Sequence, residues 1–141
     1  MQLKALTIQQ PWAWAIAAGL KRVENRNIRT HYRGQIAIHA GKSFKWLDDG
    51  EEFISSLGYS LPCIYRYGAV VAIAELVDCA PCTQPGRYAS KDCQDLIDDP
   101  FAFGPWCYVL TNIRPLHTPV PWKGQQGWFT VEIPDNLITA K

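Results

Sequence analysis

The chain has 141 residues, of which 48% are hydrophobic and 19% charged, and its formal net charge at pH 7 is +1. This length and balance predict one soluble globular domain over residues 1–141, long enough to bury a core. No segment approaches the roughly 20 uninterrupted apolar residues of a membrane span, and no signal-peptide pattern opens the chain, so we expect a cytoplasmic protein with no membrane partner.

The charges are unevenly distributed along the chain. Before residue 48, eight Lys and Arg residues accompany a single acid, Glu24, which gives a formal charge of +7. The remainder holds six cations and twelve acids, a formal charge of −6. Such an asymmetry between the two parts of a chain indicates a nucleic acid or another polyanion as a partner.

The apolar pattern of the first 40 residues predicts a strand, a short helix, an extended segment and a second strand. In chain order these are a strand over 3–8, a helix from Pro11 to Ala18, an extended segment beginning at Val23, and an alternating strand over 34–40. Proline suits the first helical turn, and Gly19 is a typical C-terminal stop. The spacing of Trp12, Ile16 and Leu20 places these three residues on one helix face.

The second half predicts a helix and three more strands. They are a helix over 45–57 with Ser43 as its N-cap and Trp46 and Phe53 on its apolar face, a central strand over 68–76, and strands over 106–113 and 127–133. Residues 79–105 read as an acidic connection with a short helix over 91–97, and the prolines after 114 indicate a loop-rich crossing. We therefore expect an α+β fold with five or six strands in a small mixed barrel, or alternatively a sandwich.

Two early segments carry a specific motif. The run QQPWA at 9–13 leads into GLKRVENR at 19–26, and HYRGQIAIHA follows at 31–40. These segments resemble the signature of the ASCH domains, a Gln-Pro-aromatic helix start followed by Gly-x-Lys-x-x-Glu-x-Arg. The resemblance continues at 68–76, 119–124 and 127–129, whereas residues 79–105 match nothing. It implies a PUA-like pseudo-barrel with flanking helices, in a superfamily that mostly handles RNA.

Lys21, Glu24 and Arg26 are the central candidates for a ligand site. On an extended segment Glu24 and Arg26 point to the same face, and Lys21 sits at the preceding helix end. A carboxylate can accept a hydrogen bond from a base amine while Arg grips a phosphate, so the three predict the floor of a basic cleft that binds RNA or a nucleotide-like ligand. The alternative is an ion pair that only stabilises the turn.

Further candidates surround this motif. Gln10 has a side chain expected to be free at the helix entry, Trp12 would stack on a base or instead pack in the core, and His39 is either a site residue or a satisfied strand-end histidine. The basic residues expected to track phosphates at the rim are Arg22, Arg29, Arg33 and Lys42, with His31 and Lys45 in the same group.

An enzyme is the alternative class. The resemblance also implies a possible amidohydrolase, since in some small ASCH-like enzymes a Lys activates a Thr three residues later, but this chain has Glu24 at that position. A hydrolase acting on a modified nucleoside would then use Lys21 as base with Glu24 beside it, and a ribonuclease would recruit Tyr32 or Ser43. A protein partner for the basic face is a third possibility.

The five cysteines predict no cofactor. Cys79 and Cys82 form a lone C-x-x-C, but a zinc site needs two further ligands at suitable spacing, and no thioredoxin-like pattern surrounds the pair. An odd number of cysteines without a framework spacing indicates reduced thiols rather than disulfides. We expect neither a metal nor another cofactor.

Overall fold

The fold is built from one mixed sheet and two helices in a computed structural model that describes residues 1–82 and 99–138. Its elements are β1 (Gln2–Ile8), α1 (Trp12–Ala17), β2 (Val23–Arg26), β3 (Gly34–Ala40), α2 (Leu47–Ser56), β4 (Ala69–Pro81), β5 (Trp106–Pro121), β6 (Phe129–Glu132) and a closing 3-10 turn (Asp135–Leu137). The helix predicted over 91–97 lies outside the described residues. No helix in the described ranges has the length and apolar character needed to cross a membrane.

The six strands follow the order β2-β5-β4-β3-β1-β6. β1 and β3 run parallel, and every other neighbouring pair is antiparallel. Register shifts interrupt the β3–β4 and β4–β5 ladders, and such bulges bend and twist a sheet. The predicted α+β class and strand number are therefore confirmed, with an open, barrel-like sheet whose edges are β2 and β6.

Several element boundaries differ from the predictions. β4 continues beyond residue 76 to Pro81, so the first residues of the predicted acidic connection over 79–105 belong to this strand. β5 continues through the prolines at 115, 119 and 121, because beyond Leu110 its one strand neighbour in the described residues is β4, apart from a single bridge between Leu116 and Ile138, and proline is tolerated on an edge. The N-cap prediction for Ser43 is wrong, since α2 begins at Leu47 after Trp46 and the Ser43 hydroxyl instead accepts a bond from the Lys45 amide.

The core occupies both faces of the sheet. Ile36 and Ile38 belong to the cluster beneath α1, whereas Ala37 between them belongs to the cluster on the opposite face, as the alternating pattern predicts. α2 approaches α1 closely, because a Cβ placed on Gly50 would lie 2.5 Å from the Pro11 ring. Gly50 of α2 therefore packs against Pro11 at the start of α1, near the end of β1, where a cleft opens.

Candidate functional site

A cleft of about 710 Å³ lies between the end of β1, the starts of α1 and α2, β2, and the segment 101–104. Four charged residues line it: Lys21, Glu24, Arg26 and Asp49. The predicted motif therefore faces one common cleft. Two cations and two carboxylates balance each other, so the prediction of a basic cleft is wrong for the lining itself.

The three motif residues form a compact ion-pair network. β2 is extended, so Glu24 and Arg26 share a face, and Glu24 Oε2 lies 3.2 Å from Arg26 Nε while Glu24 Oε1 lies 3.1 Å from Lys21 Nζ. The Lys21 side chain is 4% exposed and that of Glu24 13%. Both readings of the motif are thus physically present, since the residues pair with one another and also line a cleft.

Backbone groups hold the two cations in place. Lys21 Nζ donates to the Val23 carbonyl as well as to Glu24, and lies 5.9 Å from the centre of the Trp12 ring. Arg26 Nη2 donates to the Thr7 carbonyl at 2.7 Å. An ammonium has three N–H groups, so one on Lys21 has no hydrogen-bond acceptor in the part of the chain that the structure describes. A ligand oxygen in the cleft could accept it.

Aromatic rings form the remaining walls. The ring centroids of Trp12 and Phe101 lie 6.3 Å apart in an edge-to-face arrangement. The ring centroid of Phe53 lies 5.6 Å from that of Phe101 and 5.9 Å from that of Phe103. Trp46 and Phe103 are the exposed members of this set, with 44% and 50% of their surface accessible to solvent. Trp12 is half-buried and belongs to both the core and the cleft, so the two interpretations of this residue are compatible.

Asn25 positions one of these aromatic walls. Its side chain donates to the Phe101 carbonyl at 2.9 Å and accepts from the amides of Phe103 and Gly104 at 2.9 and 2.8 Å. Asn25 thereby fixes the segment that carries both phenylalanines. The sequence prediction missed Asn25, Phe101 and Phe103. Asn25 lies inside the motif, but Phe101 follows it only 76 residues later in the chain, so the contact between them could not be read from the motif.

Gln9 is a second lining residue that the prediction missed. Its Oε1 atom is buried and has no hydrogen-bond partner among the described residues. A buried acceptor without a partner is costly, and a ligand donor would satisfy it. The neighbouring Gln10 was predicted instead.

The prediction for Gln10 is wrong. Its side chain is 1% exposed, donates to the Arg66 carbonyl at 2.8 Å, and accepts from the Trp14 amide at 2.8 Å. Both ends of the amide are used to join α1 to the chain before β4. Gln10 therefore has a structural role and does not line the cleft.

His39 is likewise buried, and it lies outside the cleft. Its Nε2 lies 2.7 Å from the Trp122 carbonyl, so this nitrogen carries the proton, and Nδ1 then accepts from the Thr7 hydroxyl at 3.0 Å. The alternative of a satisfied strand-end histidine is the correct one. Burial lowers the pKa of His39 below its ordinary value of 6.5, and nearby Lys42 lowers this pKa further, against the raising effect of the Trp122 bond.

This environment predicts a pH-dependent stability. Because the pKa of His39 is lower in the folded state, its contribution is complete above pH 6.5 and is lost as the pH falls toward the folded pKa. Urea unfolding between pH 7 and 5 should show a free energy of unfolding that falls by at most about 1.4 kcal/mol per pH unit through this residue. The slope should flatten in His39→Asn and persist in His117→Asn, and an unchanged slope in His39→Asn would contradict the assignment.

Arg22 and Arg29 flank the motif without lining the cleft. Arg22 Nε lies 3.5 Å from Asp99 Oδ2, and the Arg29 guanidinium lies 5.3 Å from the centre of the Trp106 ring. Arg22 is thus engaged with an acid, whereas Arg29 is exposed over an aromatic surface. Their predicted roles in phosphate binding are not supported by a position in the cleft.

Arg33 and Lys42 also lie outside the cleft lining. Arg33 forms an ion pair with Asp78 at 3.6 Å and donates to two backbone carbonyls. Lys42 is exposed and lies over Gly68, where a Cβ would come within 2.6 Å of the lysine Cε. The predicted rim therefore does not form one continuous set.

The residues proposed for a ribonuclease are not in the cleft either. The Tyr32 hydroxyl donates to the Gln35 carbonyl, and the Ser43 hydroxyl accepts from the Lys45 amide.

The cysteines of the described residues form no disulfide. Cys63, Cys79, Cys82 and Cys107 are free thiols, and Cys93 lies outside the described residues. Over residues 1–82 and 99–138 no group of three potential metal ligands converges.

Comparisons with known proteins agree with the motif. A sequence model of the ASCH domain matches residues 6–119. The human protein "Activating signal cointegrator 1" is 26% identical over 125 residues, 84% of this chain but only 20% of that protein, so the chain spans about a fifth of this relative. A crystal structure of ASCH from Zymomonas mobilis superposes with a TM-score of 0.51 at 16% identity, over 94% of this chain and 88% of the other. That structural likeness concerns the fold.

Proposed function

The chain belongs to the ASCH domain family, and from this premise we propose that it is a nucleic-acid-binding module whose cleft accepts a base of single-stranded RNA. The observation that carries the proposal is the joint placement of aromatic rings and the Lys21–Glu24–Arg26 network around one cleft. Stacking rings and convergent polar groups are the two elements by which proteins hold unpaired bases.

The polar groups of the cleft suit a base edge better than a phosphate chain. Gln9 Oε1 and Glu24 offer acceptors for exocyclic amines or ring N–H groups, and the remaining N–H of Lys21 offers a donor. The lining has no excess of positive charge, so the cleft would hold the base while phosphates lie outside it. Arg26, at the exposed end of the network with 26% of its side chain accessible, would reach the ribose or a phosphate.

Phe103 offers the sharpest test because it is half exposed and its ring packs on Phe53, which is not part of the ion-pair network. Fluorescence anisotropy with a labelled single-stranded RNA should show binding by the wild type and about tenfold weaker binding by Phe103→Ala, since stacking on one ring contributes about 1–3 kcal/mol. The matched control is Tyr59→Ala, which removes an exposed ring outside the cleft.

Three outcomes separate the classes of function. Binding that Phe103→Ala weakens and Tyr59→Ala leaves intact supports the proposal. Equal affinity in all three proteins, or no binding at low salt, contradicts it. If the wild type does not bind RNA at low salt, modified nucleosides would be incubated with the protein and chromatography would detect the product of a hydrolase. An absence of product would favour a protein partner, which is the role that the name of the human relative, a cointegrator, suggests.

A further inference from the structure

The loop from Gly41 to Trp46, which joins β3 to α2, borders the cleft at both of its ends. A Cβ on Gly41 would lie 2.9 Å from the side chain of Thr7 and 3.8 Å from that of Gln9, two residues of the cleft wall. At the other end of the loop, Trp46 itself lines the cleft. The surface of the loop is therefore continuous with the site.

The loop alternates basic and aromatic residues, in the order Lys42, Ser43, Phe44, Lys45, Trp46. Phe44 is 66% exposed, and its ring meets that of Tyr67 edge to face with centroids 5.0 Å apart. Lys45 Nζ lies 5.5 Å from the centre of the Trp46 ring. A large exposed ring supported by a second ring is a stacking platform, and it stands beside a cleft already walled with aromatic residues.

Positive charge accompanies this platform. Lys42 and Lys45 are exposed and form no ion pair within the described ranges, and the same holds for Lys123. Lys42 lies over Gly68, whose carbonyl accepts from the Trp122 amide, so the loop that carries Lys123 lies beside it. Lys42 and Lys123 thus lie near one end of the loop and Lys45 lies against Trp46 at the other end, each without an acidic ion-pair partner among the described residues.

Acidic residues limit the platform on its other side. Asp48 and Asp49 occupy the first turn of α2, where they complement the helix dipole, and Asp49 lines the cleft. A phosphate would be repelled there and attracted toward Lys42 and Lys45. The charge distribution therefore favours one path for a bound strand over the surface, from the cleft across Trp46 and Phe44.

We propose that the segment Gly41–Trp46, with Tyr67 and Lys123, forms a second nucleotide subsite, so that the ligand is a single strand of at least two nucleotides rather than a free nucleoside. One base enters the cleft, the adjacent base stacks on Phe44, and the phosphates between and beyond them lie against Lys42 and Lys45. This inference rests on the proposed function of the cleft and extends it to the length and path of the ligand.

The test compares ligands of different length on variants of each subsite. Binding of a nucleoside monophosphate and of a labelled six-nucleotide single-stranded RNA would be measured for the wild type, Phe44→Ala, Phe103→Ala and the control Tyr59→Ala. Phe44→Ala should weaken the hexamer about tenfold and leave the monophosphate unchanged, whereas Phe103→Ala should weaken both.

Salt dependence provides a second readout. Lys42→Ala and Lys45→Ala should each reduce the slope of log affinity against log salt by about 0.7 for the hexamer, and Lys4→Ala, on β1 away from the loop, should leave it unchanged. Loss of hexamer binding in Phe103→Ala but in none of the loop variants would overturn the second subsite while leaving the cleft proposal intact. No binding of either ligand by the wild type would overturn both.

Discussion

Glu24→Gln is expected to lower the free energy of unfolding by about 3 kcal/mol, although it keeps the number of non-hydrogen atoms and nearly the same volume. The carboxylate of Glu24 is the shared partner of Lys21 and Arg26, and the Lys21 side chain is 96% buried. Removing the negative charge leaves two cations near each other, and one of them is almost completely buried. Breaking a buried ion pair from one side is costly because the remaining charge keeps its desolvation penalty.

Two further variants show whether the cost comes from the stranded charge. Lys21→Met removes the buried cation and keeps an apolar stem, while Glu24 retains Arg26, so its cost should stay below about 1.5 kcal/mol. Glu132→Gln makes the same substitution at an exposed ion pair with the N-terminal amine, where little change is expected because solvent screens both charges. Urea unfolding in which Glu24→Gln is no more costly than Lys21→Met would show that the network does not act as a buried pair.

Gly104→Ala should destabilise the protein by about 3 kcal/mol, from roughly 1 kcal/mol of backbone strain and about 2 kcal/mol of steric overlap. Gly104 has a φ of +78°, and a Cβ there would lie 2.7 Å from the Cys82 carbonyl oxygen. The backbone cannot yield as a flexible side chain would. Because the Gly104 amide is bonded to Asn25, the displacement should also move Phe103 and weaken RNA binding by up to about tenfold, the loss expected when that ring is removed.

Gly127→Ala separates these two contributions. Gly127 has a φ of +69°, but a Cβ there would meet nothing within 4 Å, so only the backbone term of about 1 kcal/mol applies. Thermal and urea unfolding of both variants measure the difference. Equal costs at the two glycines would show that the contact with Cys82 relaxes freely.

The ion-pair network belongs to the fold and the site at once. Any substitution in Lys21, Glu24 or Arg26 changes the stability of the turn between α1 and β2 together with the polar end of the cleft. A loss of binding in such a variant therefore has two causes. Variants of Phe103 and Phe44, whose rings are largely exposed, report on the ligand with less disturbance of the core.

Local patterns in the sequence were sufficient for most of the secondary structure. The strand over 34–40 was predicted with its observed bounds, because strict alternation of side chains reports a sheet with two different faces. The end of β5 was not predictable in this way. Its prolines are incompatible with a central strand, and only the sheet order shows that this part of β5 is an edge.

For the candidate site, the sequence by itself determined that Lys21, Glu24 and Arg26 come together, since a helix stop followed by an extended segment places three nearby residues on one side. Only the tertiary structure decided which residues complete the cleft. Gln9 and Gln10 are adjacent, yet one is left without a partner and the other bonds to a carbonyl 56 residues away. Phe101 and Phe103 are held at the cleft by hydrogen bonds between their backbone groups and the side chain of Asn25, which lies in a distant segment of the chain. Side-chain hydrogen bonds between distant segments leave no periodic trace in a sequence, and for that reason burial and partners could be assigned only after folding brought the segments together.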